Sequence, residues 1–313
     1  MRLTFFALII VSVGFSLAFS AKSEATPPQT AAQLGEMLFN DTILSSDYSI
    51  SCASCHISQF GFADTAAFSL GVGGKKTTRN SPSVMNVLSR SLFFWDGRAK
   101  TLEEQALQPI SNPDEMNLPI ETAIERLNNN AAYRSYFESI FGAAPNKETL
   151  GKAIAAFEKT LETASTHFDR YMYDVDSFTA SEKRGHEIFN EKGKCFDCHF
   201  GPDFTGDEFK NIGLFNSKNL NDSGRFLITR KKEDIGRFKV PGLRNISATA
   251  PYMHNGMFAT LREVIDYYDK PDSVVANHKN RDELLSKPLH LTEQEKQDLE
   301  AFLNTLTDDR FTR

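Results

Sequence analysis

The chain is poor in the residues that most often bind and react. It has four cysteines, seven histidines and one tryptophan in 313 residues. It is also short of positive charge, with 35 Lys and Arg against 41 Asp and Glu and a formal net charge of −6. That balance argues against nucleic acid as a partner, because a polyanion is held by clustered cations. A local group of lysines and arginines facing an acidic donor protein is still allowed. Regular apolar–polar alternation is sparse, so the fold is not expected to be built from strands. There is no low-complexity tract, and beyond the N-terminus no stretch is long and apolar enough to cross a bilayer.

What is present begins with a targeting segment over residues 1–25. Arg2 supplies a positive start, Leu3 to Phe19 is a nearly uncharged apolar run, and small residues follow. Cleavage after Ser20 or after Ala25 fits the small-residue pattern. An uncleaved anchor is the alternative, although the run is near the lower length limit for spanning. Either way the body of the protein is expected to be exported to the periplasm.

All four cysteines fall in two copies of one pattern: Cys52-Ala53-Ser54-Cys55-His56 and Cys195-Phe196-Asp197-Cys198-His199. Cys-x-x-Cys-His is the attachment signature of a c-type haem. Two thiols three positions apart reach the two vinyl groups of one porphyrin, and the next residue sets an imidazole under the iron. Two other readings use the same cysteines, an all-thiolate zinc site and two thioredoxin-like redox pairs. Neither requires a histidine directly after each pair, and zinc ribbons bring their pairs closer together in sequence. The expected cofactors are therefore two covalently bound haems c.

The chain reads as a duplication in architecture, with a haem motif near the start of each half and an amphipathic helix near its end. Ala31 to Phe39 is a helical lead-in to the first motif, and a helix start at Ser181 precedes the second. Lys147 to Thr163 closes the first half, with Leu150, Ile154, Phe157 and Leu161 at helical spacing. Leu291 to Leu306 closes the second, and Thr292-Glu293-Gln294-Glu295 gives it a capping-box start. Gly-, Pro-, Asn- and Asp-rich loops lie between. The expected fold is mainly α: two cytochrome c-like haem domains with long loops, over residues 26–165 and 166–313. Phe168 to Phe178 is read as a connection.

A haem motif alone speaks of a cytochrome. The sign of an enzyme lies in Arg79-Asn80-Ser81-Pro82, Phe94-Trp95-Asp96-Gly97-Arg98, Leu102-Glu103-Glu104-Gln105, Pro109-Ile110 and Glu115-Met116. In the second half Lys239-Val240-Pro241-Gly242-Leu243-Arg244-Asn245 and Pro251-Tyr252-Met253-His254-Asn255-Gly256 continue the series. With both haem sites, this order resembles the bacterial dihaem cytochrome c peroxidase family, which includes the MauG-type enzymes. The resemblance covers nearly the whole mature chain. It implies a peroxidatic haem on His56 and an electron-transfer haem on His199. It also implies a distal pair, Gln105 and Glu115, in which the carboxylate moves a proton between peroxide oxygens and the amide holds the peroxide. Pro109 matches a proline lining the same pocket. Trp95 matches a tryptophan between the haems that relays electrons, and Arg98 pairs with a haem propionate or with Asp96. Asn80, Thr249 and Pro251 match a calcium site between the domains, where an amide oxygen and two carbonyls suit a hard cation. His254 reads either as a propionate contact or as a satisfied buried histidine.

Two departures separate this chain from typical dihaem peroxidases. Those carry a histidine after Ser-x-Gly that blocks the peroxidatic iron until the other haem is reduced. Here Ser69-Leu70-Gly71 is followed by Val72, and no histidine lies between His56 and His167. Lys75, Lys76 and Met85 are the alternative donors, with solvated or core roles expected for all three ahead of ligation. Typical peroxidases also bind the second iron through a methionine; the matching residue here is Tyr268, as in MauG-type proteins, with Tyr267 or Met253 as alternatives. An anionic oxygen ligand lowers the reduction potential relative to a thioether.

The resemblance implies an exported peroxidase reducing hydrogen peroxide with electrons from a small cytochrome c or copper protein. The alternative is a MauG-type oxidase drawing electrons from aromatic residues of a partner protein. A plain dihaem electron carrier is the third reading, disfavoured because saturated irons do not require Gln105 and Glu115. A homodimer is compatible with each.

Overall fold

A computed structural model describes residues 26–312; the expected targeting segment lies outside them. The N-terminal half contains α1 (Ala31–Asn40), α2 (Leu102–Ser111), α3 (Ile120–Asn129), α4 (Ala131–Phe141) and α5 (Lys147–Glu158). The C-terminal half contains α6 (His167–Met172), α7 (Ala180–Asn190), α8 (Phe226–Thr229), α9 (Leu261–Asp269), α10 (Pro271–Val274) and α11 (Glu293–Asn304). Long loops join them. Among the described residues the only sheet is a two-residue pair, β1 (Phe209–Lys210) antiparallel to β2 (Phe238–Lys239). The fold is thus mainly α.

Several expected boundaries move. The start of α7 lies before Ser181: Thr179 caps it, accepting from the Glu182 amide while Glu182 accepts from the Thr179 amide. Ser181 instead donates to Asp298 across the helix crossing at 2.6 Å. The helix expected to run to Thr163 ends at Glu158, where the chain tightens into short-range turns through Thr160 and Leu161. α11 starts as expected at its Thr292/Glu295 capping box. α3 and α4 fall where no expectation was set; Asn130 caps α4 by accepting from the Ala132 and Tyr133 amides.

Each half is organised on one close helix crossing. α1 packs on α5, and α7 packs on α11. The two crossings use the same device. A Cβ on Gly35 would overlap the Ala153 carbonyl and touch Phe157, while a Cβ on Gly185 would overlap the Asp298 carbonyl and touch Phe302. Glycine therefore sets the interhelical distance, and Phe39–Phe157 and Phe189–Phe302 close the gap with ring centroids 5.1 Å apart in both halves. The buried core follows the same division. One apolar cluster runs from Leu34 to Leu161 and the other from Phe178 to Leu306.

The duplication extends to the loops. Phe93 pairs with Ala99 in an antiparallel bridge, its amide donating to the Ala99 carbonyl, and Tyr252 pairs with Phe258 in the same way. Within each bridge Phe94 and Met253 have positive φ, as do Gly97 and Gly256. Asn86 and Asn245 share the same left-handed backbone earlier in each copy. Thr101 then caps α2 and Thr260 caps α9. Each bridge thus feeds its helix at the same offset.

The halves are tied by charge and by the tail. Arg79 of the first half binds Asp96 at 2.7 Å and reaches Asp222 of the second through Nε and Nη2. Arg225 donates to the Asp96 and Gly97 carbonyls. Asp308, near the C-terminus, accepts from the Ala164 amide in the segment between α5 and α6. Among the described residues no helix is long and apolar enough to cross a membrane.

Candidate functional site

Each Cys-x-x-Cys-His segment forms one tight turn. The Cys52 carbonyl accepts from the Cys55 and His56 amides, and the Cys195 carbonyl accepts from those of Cys198 and His199. The four thiols are free of disulfides. Burial pushes Cys52 and Cys195 up to about 12 and Cys55 and Cys198 up to about 11. They are neutral thiols, unlike the lowered thiols of reactive redox pairs. The two pairs also line different cavities, so they do not meet around one zinc ion.

The histidines are oriented alike. His56 Nδ1 lies 3.1 Å from the Phe62 carbonyl, and His199 Nδ1 lies 2.9 Å from the Phe204 carbonyl. Phe62 and Phe204 both have positive φ, which turns each carbonyl back toward its imidazole. With Nδ1–H donated to a carbonyl, Nε2 is the nitrogen left to bind a metal. Burial lowers both imidazoles below their ordinary value, favouring the neutral form a metal needs. Two neutral thiols and one pre-oriented imidazole facing a cavity form a donor set that fits a c-type haem at each site.

The cavity over His56 is lined by Gln105, Pro109, Asn112 and Glu115. α2 carries Gln105 and Pro109; the turn after it carries the other two. Asn112 donates through Nδ2 to Glu115 Oε1 at 2.6 Å. Burial raises the Glu115 carboxyl above its ordinary value, and the Asn112 hydrogen bond opposes that. Gln105 Oε1 is buried without a hydrogen-bond partner among the described residues. An orphaned amide oxygen and a carboxylate thus face one space. The loop of Val72 closes over this turn: the Val72 amide donates to the Glu115 carbonyl at 2.8 Å. A Cβ at Gly71 would overlap the Asp114 carbonyl, so only glycine permits that approach.

The substitute ligands point elsewhere. Lys75 and Lys76 are exposed, and Lys75 Nζ donates to the Pro113 carbonyl. Met85 is buried in the first core, where its sulfur receives the Asn245 side chain. None of the three lines the cavities at His56.

The cavity over His199 is mostly apolar, walled by Phe189, Leu261, Val264, Ile265 and Leu303, and Tyr268 faces it from α9. The structure separates the adjacent tyrosines. Tyr267 is fully buried in the core and donates to the Ile212 carbonyl at 2.5 Å. Tyr268 has burial but no hydrogen bond acting on its phenol, and burial pushes its ionisation strongly upward. Met253 also lines the cavity.

Trp95 belongs to the walls of both cavities. Its indole donates to the Asn80 carbonyl at 2.9 Å, and its ring meets His254 edge-on at 6.4 Å. His254 stacks on Phe238 at 3.7 Å, and burial lowers it to about 4. It is a neutral packed histidine on the wall of the second cavity. Arg98 binds Asp96 at 3.2 Å and Gln108 at 2.9 Å and lies over the Phe94 ring. Asn80, Thr249 and Pro251 line a third cavity together, at the junction of the halves. Their donor types suit a hard cation, although Asn80 Nδ2 is already committed to the Ala66 carbonyl.

Residues without a sequence signal also enter the site. Asn112 is an ordinary loop residue in the sequence, and only its position three residues before Glu115 hints at a contact. The Arg79–Asp222 tie joins residues far apart in the chain. Glu158 lines both cavities at His56 and reads in sequence as the polar edge of an amphipathic helix.

A family profile described as di-haem cytochrome c peroxidase matches residues 29–177. The methylamine utilization protein MauG of Methylorubrum extorquens is 37% identical over 295 residues, 91% of this chain and 80% of that protein. The cytochrome c551 peroxidase of Nitrosomonas europaea is 36% identical over 294 residues, covering 92% of this chain and 83% of its own. A crystal structure of a MauG-like protein associated with microbial copper homeostasis superposes with a TM-score of 0.82 at 31% identity, covering 95% of this chain and 99% of that one. The diheme peroxidase BthA from Burkholderia thailandensis gives 0.81 at 26% identity, over 91% and 88% of the two chains.

Proposed function

The chain belongs to the di-haem cytochrome c peroxidase family of oxidoreductases, and from that premise we propose that it reduces hydrogen peroxide to water at the His56 site with electrons from a small redox protein. The observation that carries this reading is the pairing of Gln105 and Glu115 over a cavity that no gating histidine enters. Cys52, Cys55 and His56 would hold one haem, and Cys195, Cys198 and His199 would hold the other. When bound, the haem would supply the redox chemistry that peroxide reduction needs.

The residues supply the rest. Gln105, with its free amide oxygen, orients peroxide by accepting from its O–H. Glu115 removes a proton from one peroxide oxygen and returns it to the other. Asn112 fixes the carboxylate through Oε1 and leaves Oε2 for that transfer. Trp95, in the wall of both cavities, is placed to pass electrons between the sites. Domains 26–165 and 166–313 each hold one haem, the signal segment directs the protein to the periplasm, and Asn80, Thr249 and Pro251 hold a calcium ion at the junction.

A second reading is favoured by one observation: Tyr268 faces the second cavity while Tyr267 is tied to the backbone. Phenolate ligation there is the MauG-type pattern, which draws electrons from aromatic residues of a partner protein. Steady-state peroxide consumption with a reduced cytochrome c or copper protein tests the first reading. Turnover with such a donor supports a peroxidase; peroxide reaction without donor turnover favours the oxidase. Electron paramagnetic resonance of the oxidised protein tests the open site. One high-spin and one low-spin ferric signal are expected, and two low-spin signals would mean that a gate remains.

A further inference from the structure

Glu158 is an ionisable group with no part in the peroxide chemistry above. It is the last residue of α5 and only 3% exposed. Its carboxyl lines both cavities at His56, and Oε2 is buried with no hydrogen-bond partner among the described residues. A solvated helix edge, the ordinary place for a glutamate, is therefore excluded. We infer that Glu158 is a redox-linked proton site of the His56 haem, its carboxylate taking one proton from solvent as that iron takes one electron from the donor protein, and releasing it on reoxidation. The inference rests on the assignment of a haem to His56.

The surroundings disfavour a permanent charge. The C-terminal end of α5 presents the negative pole of the helix to this carboxyl. Arg90 exerts the main attraction, but its guanidinium donates to the Met85 carbonyl at 3.0 Å instead of closing on Glu158. From α2, Glu103 repels a charge on Glu158, and its own charge is taken up by Lys159 at 2.7 Å. From the haem motif, Cys52 and Cys55 face the same cavity and bring no charge to it, as neutral thiols before haem attachment and as thioethers after it. From the distal turn, Glu115 faces it as a second carboxyl already held by Asn112. Burial is the dominant effect and pushes Glu158 up to about 8. A group poised there changes occupancy when the charge it faces changes by one, because in a low-dielectric site such a change is felt strongly. The sign follows: reduction removes one positive charge from the iron, raises the affinity of the carboxyl for a proton and couples electron entry to proton entry. Peroxide reduction consumes protons as well as electrons, so a buried acid that fills when the electron arrives keeps the two in step.

The test is spectroelectrochemical titration of the His56 haem in the full-length holoprotein, from about pH 6 to about pH 9. The wild-type potential is expected to fall as pH rises, and the Glu158→Gln potential to be flat. A redox-difference infrared spectrum of the wild type should show a protonated-carboxyl band, sensitive to deuterium oxide, that the variant lacks. A slope retained in Glu158→Gln overturns the inference. So does a parallel displacement of the whole curve, which would mean a permanently ionised carboxylate. Loss of the slope in Glu115→Gln but not in Glu158→Gln would assign the proton to Glu115 instead. If Glu158→Gln fails to fold, absence of the infrared band in the wild type is itself sufficient to overturn it. Haem counting on the wild type separates the two levels: fewer than two haems per chain would remove the underlying assignment and the inference with it.

Discussion

Replacing Tyr267 and Tyr268 by phenylalanine one at a time should produce two different lesions, although the residues are neighbours. Tyr267 is fully buried, and its hydroxyl donates to the Ile212 carbonyl at 2.5 Å. Tyr267→Phe deletes that donor and leaves a buried carbonyl unsatisfied, which costs about 1–3 kcal/mol. For a half of this size that lowers the melting temperature by roughly 3–10 °C. Because Tyr267 does not line the haem cavity, the spectrum and potential of the second haem should stay as in the wild type. Tyr268 has no such hydrogen bond to lose, so Tyr268→Phe should alter hydrogen-bonding stability by less than about 0.5 kcal/mol. It should instead change the ferric spectrum of the His199 haem. Tyr268→Met should raise that potential, because a thioether stabilises the ferric state less than a phenolate does. Thermal unfolding followed by far-UV dichroism reads the first lesion, and spectroelectrochemistry reads the second. Unchanged spectra and potentials in both Tyr268 variants would refute the ligand assignment. A potential shift in Tyr267→Phe would show that the two side chains have been interchanged.

Glu115→Gln should retain both haems and slow the peroxide-dependent spectral change by roughly two orders of magnitude, the usual scale for a proton-transfer group; stopped-flow mixing measures it, and an unchanged rate removes Glu115 from the reaction. Gly185→Ala should force α7 and α11 apart, since its Cβ would overlap the Asp298 carbonyl, at a cost of about 3 kcal/mol, read by denaturant unfolding. Asp298 accepts from Arg184, Ser181 and Gln294, and the Arg184 hydrogen bond leads in lowering its carboxyl from 3.8 to about 2. The folded form therefore binds its proton less readily than the unfolded chain. The stability this confers is present above the unfolded value and is lost as pH falls through about 2. The shift corresponds to roughly 2 kcal/mol, less after allowing for screening of the half-exposed Arg184. Asp298→Asn should remove that part of the acid sensitivity in an unfolding series.

The sequence made visible what chemistry compresses into short motifs. Cys52-x-x-Cys55-His56 and its partner mark both proposed haem sites because attachment and ligation occupy five consecutive residues in this signature. The Thr292/Glu295 capping box located α11 because its reciprocal hydrogen bonds are local. The start of α7 was displaced because Ser181 and Thr179 are both acceptable caps, and the choice depends on Asp298, more than a hundred residues away. The Arg79–Asp96–Asp222 tie has the same character: only the folded chain brings these charges together. Glu158 was hidden for a different reason. A glutamate at a helix end is ordinary in sequence, and its significance comes from the cavity it faces. The repeat of the loops is partly legible in the sequence. Thr101-Leu102-x-Glu104 and Thr260-Leu261-x-Glu263 share a pattern, as do Gly97 and Gly256, but the first positive-φ position of each bridge carries Phe94 in one copy and Met253 in the other.

That alignment carries into the helices it feeds. If Thr101 corresponds to Thr260 and Leu102 to Leu261, the same register sets Pro109 of α2 opposite Tyr268 of α9. Proline offers a metal no side-chain donor, whereas tyrosine offers an oxygen. On the proposed assignment, two copies of one scaffold would hold chemically unlike haems through the occupant of a single helical seat. If the proposed roles hold, a gene that doubled and then diverged at this seat would have obtained a reactive centre and a reservoir for its electrons in one step. On that assignment, transplanting the tyrosine to the first copy, or the proline to the second, would be a one-codon route to two like sites.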